Sequence, residues 1–248
     1  MESKQPSLTI PGAIIIAAAI IAIALIYIFH PQTAPAQPAP VPGQNAQISM
    51  QPVTAADHIL GNPNAPIKIV EYSDPSCPYC KMFNSTMEQL INEYGAGGKV
   101  AWVYRHFPLD QPDENGNVLH ANAGREAQSL ECAASVGGND TFWAYEKDWY
   151  DAIPQDGADR SAQDDQAQIL QTAKDVGLNI PSFNDCLSSG KTKDIVQKEY
   201  LDGINAGASG TPYSIIITPS GSKIPLVGAQ SYSTVKAAVD TLLSTIKS

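Results

Sequence analysis

Residues 67–80 read IKIVEYSDPSCPYC, and this stretch decides the fold. Its first six residues are rich in β-branched and aromatic side chains and follow the turn-forming segment NPNAP, so they predict a β-strand. Cys77 and Cys80 come directly before helix-forming residues that extend from about 81 to 94. Pro78 suits the first turn of that helix, where its missing N–H would have no partner. A Cys-x-x-Cys pair therefore lies at a strand-to-helix junction.

The rest of the folded part predicts an α/β sheet with a helical insertion. The folded domain is predicted over residues 53–248, and the insertion over about 117–208. Further strands are predicted at about residues 100–107, 213–218 and 223–227, and a closing helix at about 233–246. In the insertion, helix formers with an apolar spacing near 3.6 residues predict helices at about 121–136, 141–152, 164–176 and 191–204.

The N-terminal part of the chain differs from this domain. Residues 10–29 carry no charge and are mostly Ile and Ala, and about 20 helical residues span the roughly 30 Å core of a bilayer. We therefore predict a transmembrane anchor within residues 1–30. A cleaved signal peptide is the alternative, because Ala34-Pro35-Ala36 fits a small-x-small cleavage site. Lys4 precedes the apolar residues and no Lys or Arg follows before Lys68, which predicts a cytoplasmic N-terminus and an extracytoplasmic domain.

Composition also predicts how the anchor is joined to the folded domain and which classes of partner are disfavoured. Residues 31–52 are rich in Pro, Ala and Gln, which predicts an extended and poorly packed linker. The formal net charge of the chain is −10 and its isoelectric point is about 4.7. Such an acidic chain is poorly suited to nucleic acid or an anionic membrane surface as its main partner.

The placement of the two cysteines favours redox chemistry. At a helix N-terminus, unpaired N–H groups and the helix dipole stabilise negative charge, so Cys77 is expected to have a lowered pKa and to be the attacking thiolate. Cys80, one turn further on, is expected to be less exposed and to act as the resolving thiol. A zinc site is disfavoured because no second ligand pair with suitable spacing exists in the sequence. A purely structural disulfide stays open, as does a copper carrier that uses His106 or His120.

The remaining polar candidates for the site are Glu71, His106 and His120. Glu71 shares strand parity with Ile67 and Ile69, so its side chain is predicted to point into the core, where a raised pKa would let it accept the proton of Cys80. The alternative is an ordinary, partly exposed carboxylate at a strand end. His106 and His120 are interpreted as structural or surface residues. No metal or cofactor is predicted.

Short motifs along the chain resemble the DsbA-like branch of the thioredoxin superfamily, in its membrane-anchored, single-domain type. The resemblance covers about residues 53–248 and implies a thioredoxin-like fold and a protein thiol–disulfide oxidoreductase. The motifs that carry it are VEYSD before the cysteine pair, YRHFPL at 104–109, FW at 142–143, FNDCL at 183–187 and GTP at 210–212.

The resemblance also implies roles for residues near the cysteines. Pro212 would be cis and lie against the pair, with Thr211 contacting the substrate; a trans proline that opens an edge strand is the alternative. Pro78 and Tyr79 are expected to contact substrate as well. Tyr79 stands where strongly oxidising relatives carry a His, and Pro-Tyr is similar to the glutaredoxin dipeptide. Both features indicate a weaker oxidant.

The remaining cysteines, Cys132 and Cys186, are expected to form a structural disulfide. Leftover cysteines usually pair in an oxidising compartment, and relatives with a second disulfide in the insertion support this pairing.

The predicted function is donation of the Cys77–Cys80 disulfide to reduced, exported proteins, with reoxidation by an unidentified membrane partner. The alternatives are a disulfide reductase or isomerase of the same fold, and a tethered thioredoxin-like metal chaperone.

Overall fold

The structure, a computed structural model, describes residues 48–112, 115–156 and 160–246. The strands in these ranges are β1 (His58–Gly61), β2 (Ile67–Ser73), β3 (Val100–His106), β4 (Tyr213–Ile217) and β5 (Lys223–Val227). The helices are α1 (Pro78–Tyr94), α2 (Ala123–Gly137), α3 (Asn139–Ala152), α4 (Ala162–Asp175), α5 (Ile180–Ser189), α6 (Lys193–Ala206) and α7 (Tyr232–Ile246).

The strands form one sheet with β2 at its centre, in the order β1-β3-β2-β4-β5. β2 pairs in parallel with β3 and antiparallel with β4. Successive side chains of a strand point to opposite faces, so Ile67 and Ile69 enter the larger apolar core, while Val70 and Tyr72 enter a second one. Apolar side chains on both faces of β2 are thus consistent with its position in the middle of the sheet. The cysteine pair follows the carboxyl end of β2, at the start of α1.

The helical insertion is held to the sheet by aromatic side chains. Phe142 and Trp143 of α3 pack against β3, with ring centroids 4.7 Å apart for Trp102 and Trp143 and 5.4 Å apart for Tyr104 and Phe142. Tilted and edge-on aromatic pairs of this kind add to the free energy gained from burial. The insertion is therefore packed firmly against the strand beside the one that leads to the cysteines.

Two elements of the structure, one strand and one helix, are not predicted by the sequence pattern. β1 has four residues and lies at the sheet edge, where it pairs antiparallel with β3. Its segment HILG is too short to show an alternating pattern. α5 has ten residues and carries Pro181 in its first turn. There a proline fits a helix, although in a sequence it also suggests a loop.

The predicted linker of residues 31–52 is wrong at its C-terminal end, because residues 48–52 pack on the domain. The backbone N–H of Gln51 donates to a carboxylate oxygen of Asp202 at 2.6 Å. The guanidinium of Arg105 donates to the carbonyl oxygens of Gln51 and Pro52 at 3.1 and 3.2 Å. A buried guanidinium has five N–H donors to satisfy, and these carbonyls accept two of its hydrogen bonds.

The predicted anchor, and the linker up to residue 47, lie outside the described residues. Within the described ranges, none of the helices combines the length and the apolar character that crossing a bilayer requires.

Candidate active site

Cys77 caps the N-terminus of α1. Its backbone is extended, and Pro78 is the first helical residue. The turn between β2 and α1 is fixed by Asp74, whose Oδ1 accepts the N–H of Ser76 at 2.7 Å and whose carbonyl accepts the N–H of Cys77 at 3.0 Å. This aspartate-centred turn places Cys77 where unpaired helical N–H groups favour an anion.

The two thiols differ in their affinity for a proton. Both are reduced in the structure, and Cys80 is fully buried. A hydrogen bond from the Cys80 thiol outweighs burial and lowers the pKa of Cys77 to about 6. Burial, followed by the neighbouring Cys77 sulfur, raises the pKa of Cys80 well above its ordinary value. Cys77 is therefore the thiolate near neutral pH, while Cys80 keeps its proton.

We expect alkylation of Cys77 in the reduced protein to accelerate with a midpoint near pH 6, because only the thiolate reacts. In a Cys80→Ala variant the midpoint should move upward, since the hydrogen bond from Cys80 is lost. Mass spectrometry of the singly alkylated protein over a pH series measures both values. A wild-type midpoint at the ordinary thiol value of about 8.5 would disprove the assignment.

The loop that contains Pro212 faces Cys77. The Thr211–Pro212 peptide bond is cis. The Cys77 thiol donates a weak hydrogen bond to the Thr211 carbonyl, with 3.7 Å between sulfur and oxygen. On the first turns of α1, Tyr79 and Met82 leave 60% and 51% of their surface exposed. An extended polypeptide bound at Cys77 would thus contact the backbone of the Thr211–Pro212 loop, just before β4, and the exposed apolar side chains on α1.

Glu71 is fully buried on β2, which confirms the parity prediction and contradicts the partly exposed alternative. The Ser73 hydroxyl donates to Oε1 of Glu71 at 2.8 Å, and the indole N–H of Trp102 donates to Oε2 at 2.9 Å. Burial is the dominant effect and raises the pKa of Glu71 to about 7, although these two hydrogen bonds oppose it. The negative charge of Glu71 in turn helps to raise the pKa of Cys80. The carboxyl group is therefore poised to exchange a proton near neutral pH.

A Glu71→Gln variant is expected to be more stable than the wild type above about pH 7, by about 3 kcal/mol. The folded pKa lies above the ordinary value of 4.5, so the wild type loses stability as pH rises from 4.5 to about 7 and the buried group must ionise. Glutamine carries no charge, and its amide can still bond to Ser73 and Trp102. Urea unfolding of the reduced proteins over a pH series measures the difference.

The exposed Asp194→Asn change on α6 is the matched control for that experiment, because it removes a carboxylate from the surface. It should leave the pH dependence of unfolding unchanged. Equal pH dependence in the wild type and in Glu71→Gln would contradict the raised pKa.

Two carboxylates near the cysteines, Asp74 and Glu126, are not among the site residues that the sequence predicts. Asp74 Oδ2 accepts the backbone N–H of Leu109 at 2.8 Å and so joins the turn to the segment after β3. Glu126 of α2 accepts the hydroxyl hydrogen of Ser76 at 2.5 Å. Burial raises the pKa of Glu126, and its hydrogen bond with Asp165 adds to the effect. Asp74 two residues before a serine was a signal for such a turn, whereas Glu126 carried no local signal.

His106 and His120 are both buried, so a surface position is wrong for either. His120 Nδ1 lies 2.8 Å from Oδ2 of Asp74, and His106 Nε2 lies 3.1 Å from Oε1 of Glu131. His120 thereby supports the turn before Cys77.

In the insertion, Cys132 and Cys186 form a disulfide that joins α2 to α5, with Cα atoms 5.7 Å apart.

Comparisons with known proteins agree with this architecture. A family model described as thioredoxin matches residues 53–241. The alpha-DsbA1 of Wolbachia pipientis superposes with a TM-score of 0.65 at 20% identity, over 78% of this chain and 94% of that one. The predicted thioredoxin-like α/β fold with a helical insertion is thus confirmed.

Curated relatives match over shorter stretches. The Na(+)/H(+) antiporter NhaA 3 of Salinispora tropica is 27% identical over 158 residues, which cover 63% of this chain and 21% of the antiporter. A "Putative protein-disulfide oxidoreductase" of Rickettsia bellii is 36% identical over 64 residues, which cover 25% of each chain. The chain therefore spans a quarter or less of the length of these relatives.

Proposed function

Because the chain belongs to the thioredoxin family, we propose that it is a DsbA-like thiol–disulfide oxidoreductase that donates the Cys77–Cys80 disulfide to exported proteins. The observation that carries the proposal is the division of roles between the two thiols. Cys77 has a lowered pKa at the start of α1 and faces the Thr211 carbonyl, while Cys80 lies fully buried behind it with a raised pKa.

The reaction begins with the oxidised enzyme. A substrate thiolate attacks the sulfur of Cys77, the Cys77–Cys80 bond breaks, and Cys80 leaves as a thiolate. Because the pKa of Cys80 is raised, its thiolate takes up a proton at once. Glu71 can supply this proton, because its pKa of about 7 leaves its carboxyl group partly protonated near neutral pH. A second substrate thiolate then attacks the substrate sulfur of the mixed disulfide, and Cys77 leaves as a stable thiolate. Two electrons pass from the substrate dithiol to the enzyme, and a membrane redox partner must remove them.

Residues around Cys77 fit a polypeptide substrate. The cis Thr211–Pro212 loop presents backbone groups to Cys77, and Pro78, Tyr79 and Met82 present apolar surface on the first turns of α1. Recognition through backbone and apolar contacts reads no particular sequence. It would suit an enzyme that acts on many unfolded chains.

The donor activity is tested by mixing the oxidised full-length protein with a reduced, unfolded secreted protein. We expect substrate disulfides to form in amounts equal to the enzyme disulfide consumed. A Cys77→Ser variant should form none. The donor role would be contradicted if no substrate disulfide formed in this assay while the dithiol form reduced a folded, disulfide-bonded substrate. Electrons would then flow from the enzyme to the substrate.

We further propose that the domain is anchored in the membrane and lies outside the cytoplasm. The apolar residues 10–29 and the position of Lys4 support this topology, and the Cys132–Cys186 disulfide is of the kind that persists in oxidising compartments. In intact cells, a membrane-impermeant maleimide should label Cys77 of a Cys80→Ala variant. Labelling only after cell lysis would contradict the topology.

A weaker oxidant, a reductase or an isomerase is the second candidate. A Cys77 pKa of about 6 lies closer to the value of about 7 in thioredoxin than to the value of about 3.5 in a strong disulfide donor. A less stabilised thiolate makes the reduced form less favourable, and hence the disulfide less oxidising. The metal-chaperone alternative would require the dithiol itself to hold the ion, since the group of three described residues that could hold a metal contains neither active-site cysteine.

A further inference from the structure

Three side chains that lie far apart in the sequence meet at one edge of the sheet. His106 ends β3, Glu131 lies on α2 and Glu199 lies on α6. One ligand atom from each of them falls within 4.8 Å of the others. His58 of β1 joins the group, because its Nε2 lies 2.8 Å from Oε1 of Glu131. We call these four residues the His–Glu cluster.

The residues of the His–Glu cluster are held in place by the surrounding structure. Oε2 of Glu199 accepts the backbone N–H of His106 at 2.7 Å. The His58 ring stacks on Phe142 with centroids 3.7 Å apart and an interplanar angle of 9°. Contacts of this type fix the orientation of metal ligands in known sites.

The His–Glu cluster brings two carboxylates together in the interior of the protein. His106 and Glu131 are buried and Glu199 is partly buried, so two carboxylates share a poorly hydrated space. Both imidazoles point Nε2 at the same oxygen of Glu131. Without an ion, Glu131 is paired with the two imidazoles. An ion that displaces the imidazole protons would meet two carboxylates and balance their charge. In addition, Nδ1 of the buried His106 ring has no hydrogen-bond partner among the described residues.

One member of the His–Glu cluster, Glu131, lines an open cavity. A cavity of about 360 Å³ has Glu131 in its wall, together with Ala134 and Ser135 of the same helix. Its other walls are Lys191, Thr192 and Ile195, which precede and begin α6. This cavity gives an ion a route from solvent to Glu131.

We propose that the His–Glu cluster is a binding site for a divalent transition-metal ion of the zinc class. His106, Glu131 and Glu199 supply ligands, and His58 supplies a fourth when its ring shifts from the Glu131 oxygen. Zinc binds nitrogen and oxygen ligands in sets of this size. Calcium and magnesium prefer oxygen ligands in larger or more hydrated sets, so two imidazoles select against them.

The proposed ion would join the helical insertion to the sheet. Its ligands come from two neighbouring strands and from two helices of the insertion, and Glu131 is adjacent to the disulfide-bonded Cys132. A ligand that binds only the folded chain stabilises it, so the ion should raise the melting temperature. The site is separate from the dithiol and would support the structure rather than transfer electrons.

The test measures zinc binding to the full-length protein with Cys77→Ser and Cys80→Ser, because the active-site dithiol could itself bind zinc. After treatment with a chelator, we expect one zinc ion to bind per chain and to raise the melting temperature. X-ray absorption should show nitrogen and oxygen neighbours at about 2.0–2.1 Å and no sulfur at about 2.3 Å. Calcium and magnesium should not compete.

Two variants in the same background locate the site. Glu199→Gln, at a partly buried position, should bind zinc at least tenfold more weakly and lose the thermal shift, and Glu131→Gln should do the same. Asp194→Asn, an exposed change on the same helix as Glu199, should bind like the parent. No zinc binding by the thiol-free protein, or unchanged binding by a folded Glu199→Gln variant, would overturn the proposal. Preferential binding of calcium would overturn the metal class. None of these readouts depends on disulfide exchange.

Discussion

Replacement of Cys80 by alanine is expected to stop turnover and to trap substrates on Cys77. In the wild type, the buried Cys80 can attack the mixed disulfide and release a substrate that fails to complete the exchange. Without Cys80 this escape is closed. The Cys77 thiolate then attacks a disulfide of a substrate protein, one substrate sulfur leaves as a thiolate, and the other stays bound to Cys77 as a mixed disulfide. Electrophoresis of cell extracts without reductant should therefore show adducts that disappear when a reductant is added.

A Cys77→Ala/Cys80→Ala double variant is the control for this trap. It retains the Cys132–Cys186 disulfide, so any adduct that it forms arises from those cysteines or from nonspecific oxidation. Adducts of equal intensity in both variants, or none in Cys80→Ala, would count against Cys77 as the attacking group.

Removal of the second disulfide, by Cys132→Ala with Cys186→Ala, is expected to lower the free energy of unfolding by about 4 kcal/mol. The bond closes a loop with a sequence separation of 54 residues, and the loss of this constraint increases the entropy of the unfolded chain. For a domain of this size, the Tm should fall by on the order of 10 °C. Urea unfolding and calorimetry measure the two quantities.

Disulfide exchange by this double variant should remain close to wild type at temperatures where it is folded. The disulfide joins α2 to α5, whereas Cys77 and Cys80 lie at the junction of β2 and α1. Lost exchange in a variant with a wild-type circular dichroism spectrum would show that the second disulfide takes part in the reaction.

The features that could be predicted from sequence are those with a local cause. Hydrophobic residues at both parities of β2, followed by Cys77, Pro78 and Cys80, determine a buried strand and a helix start within fourteen residues. Parity with Ile67 and Ile69 predicted a core position for Glu71, but only the structure decided against a partly exposed carboxylate at the strand end. The cis Thr211–Pro212 bond had no local signal and was expected only from the family resemblance.

Other parts of the site depend on contacts between distant segments. Glu126 meets Ser76 across 50 residues, and Glu131 meets His58 across 73. Nothing in the spacing of these residues indicates the contact, because only the tertiary fold brings side chains of α2 to the turn before α1 and to the strands β1 and β3. The metal-binding arrangement proposed for His106 and Glu199 was likewise invisible to spacing rules, which find ligands that are near neighbours in the sequence.

The reduction potential of the Cys77–Cys80 pair in the full-length protein tests the central claim most directly. Equilibration in glutathione buffers of known ratio, followed by quenching and alkylation, gives the fraction of dithiol. The proposed donor role predicts a potential between about −120 and −200 mV, where the enzyme disulfide oxidises most protein thiols. A value within or below the glutaredoxin range of about −200 to −230 mV would contradict it and would make the protein a reductase or an isomerase.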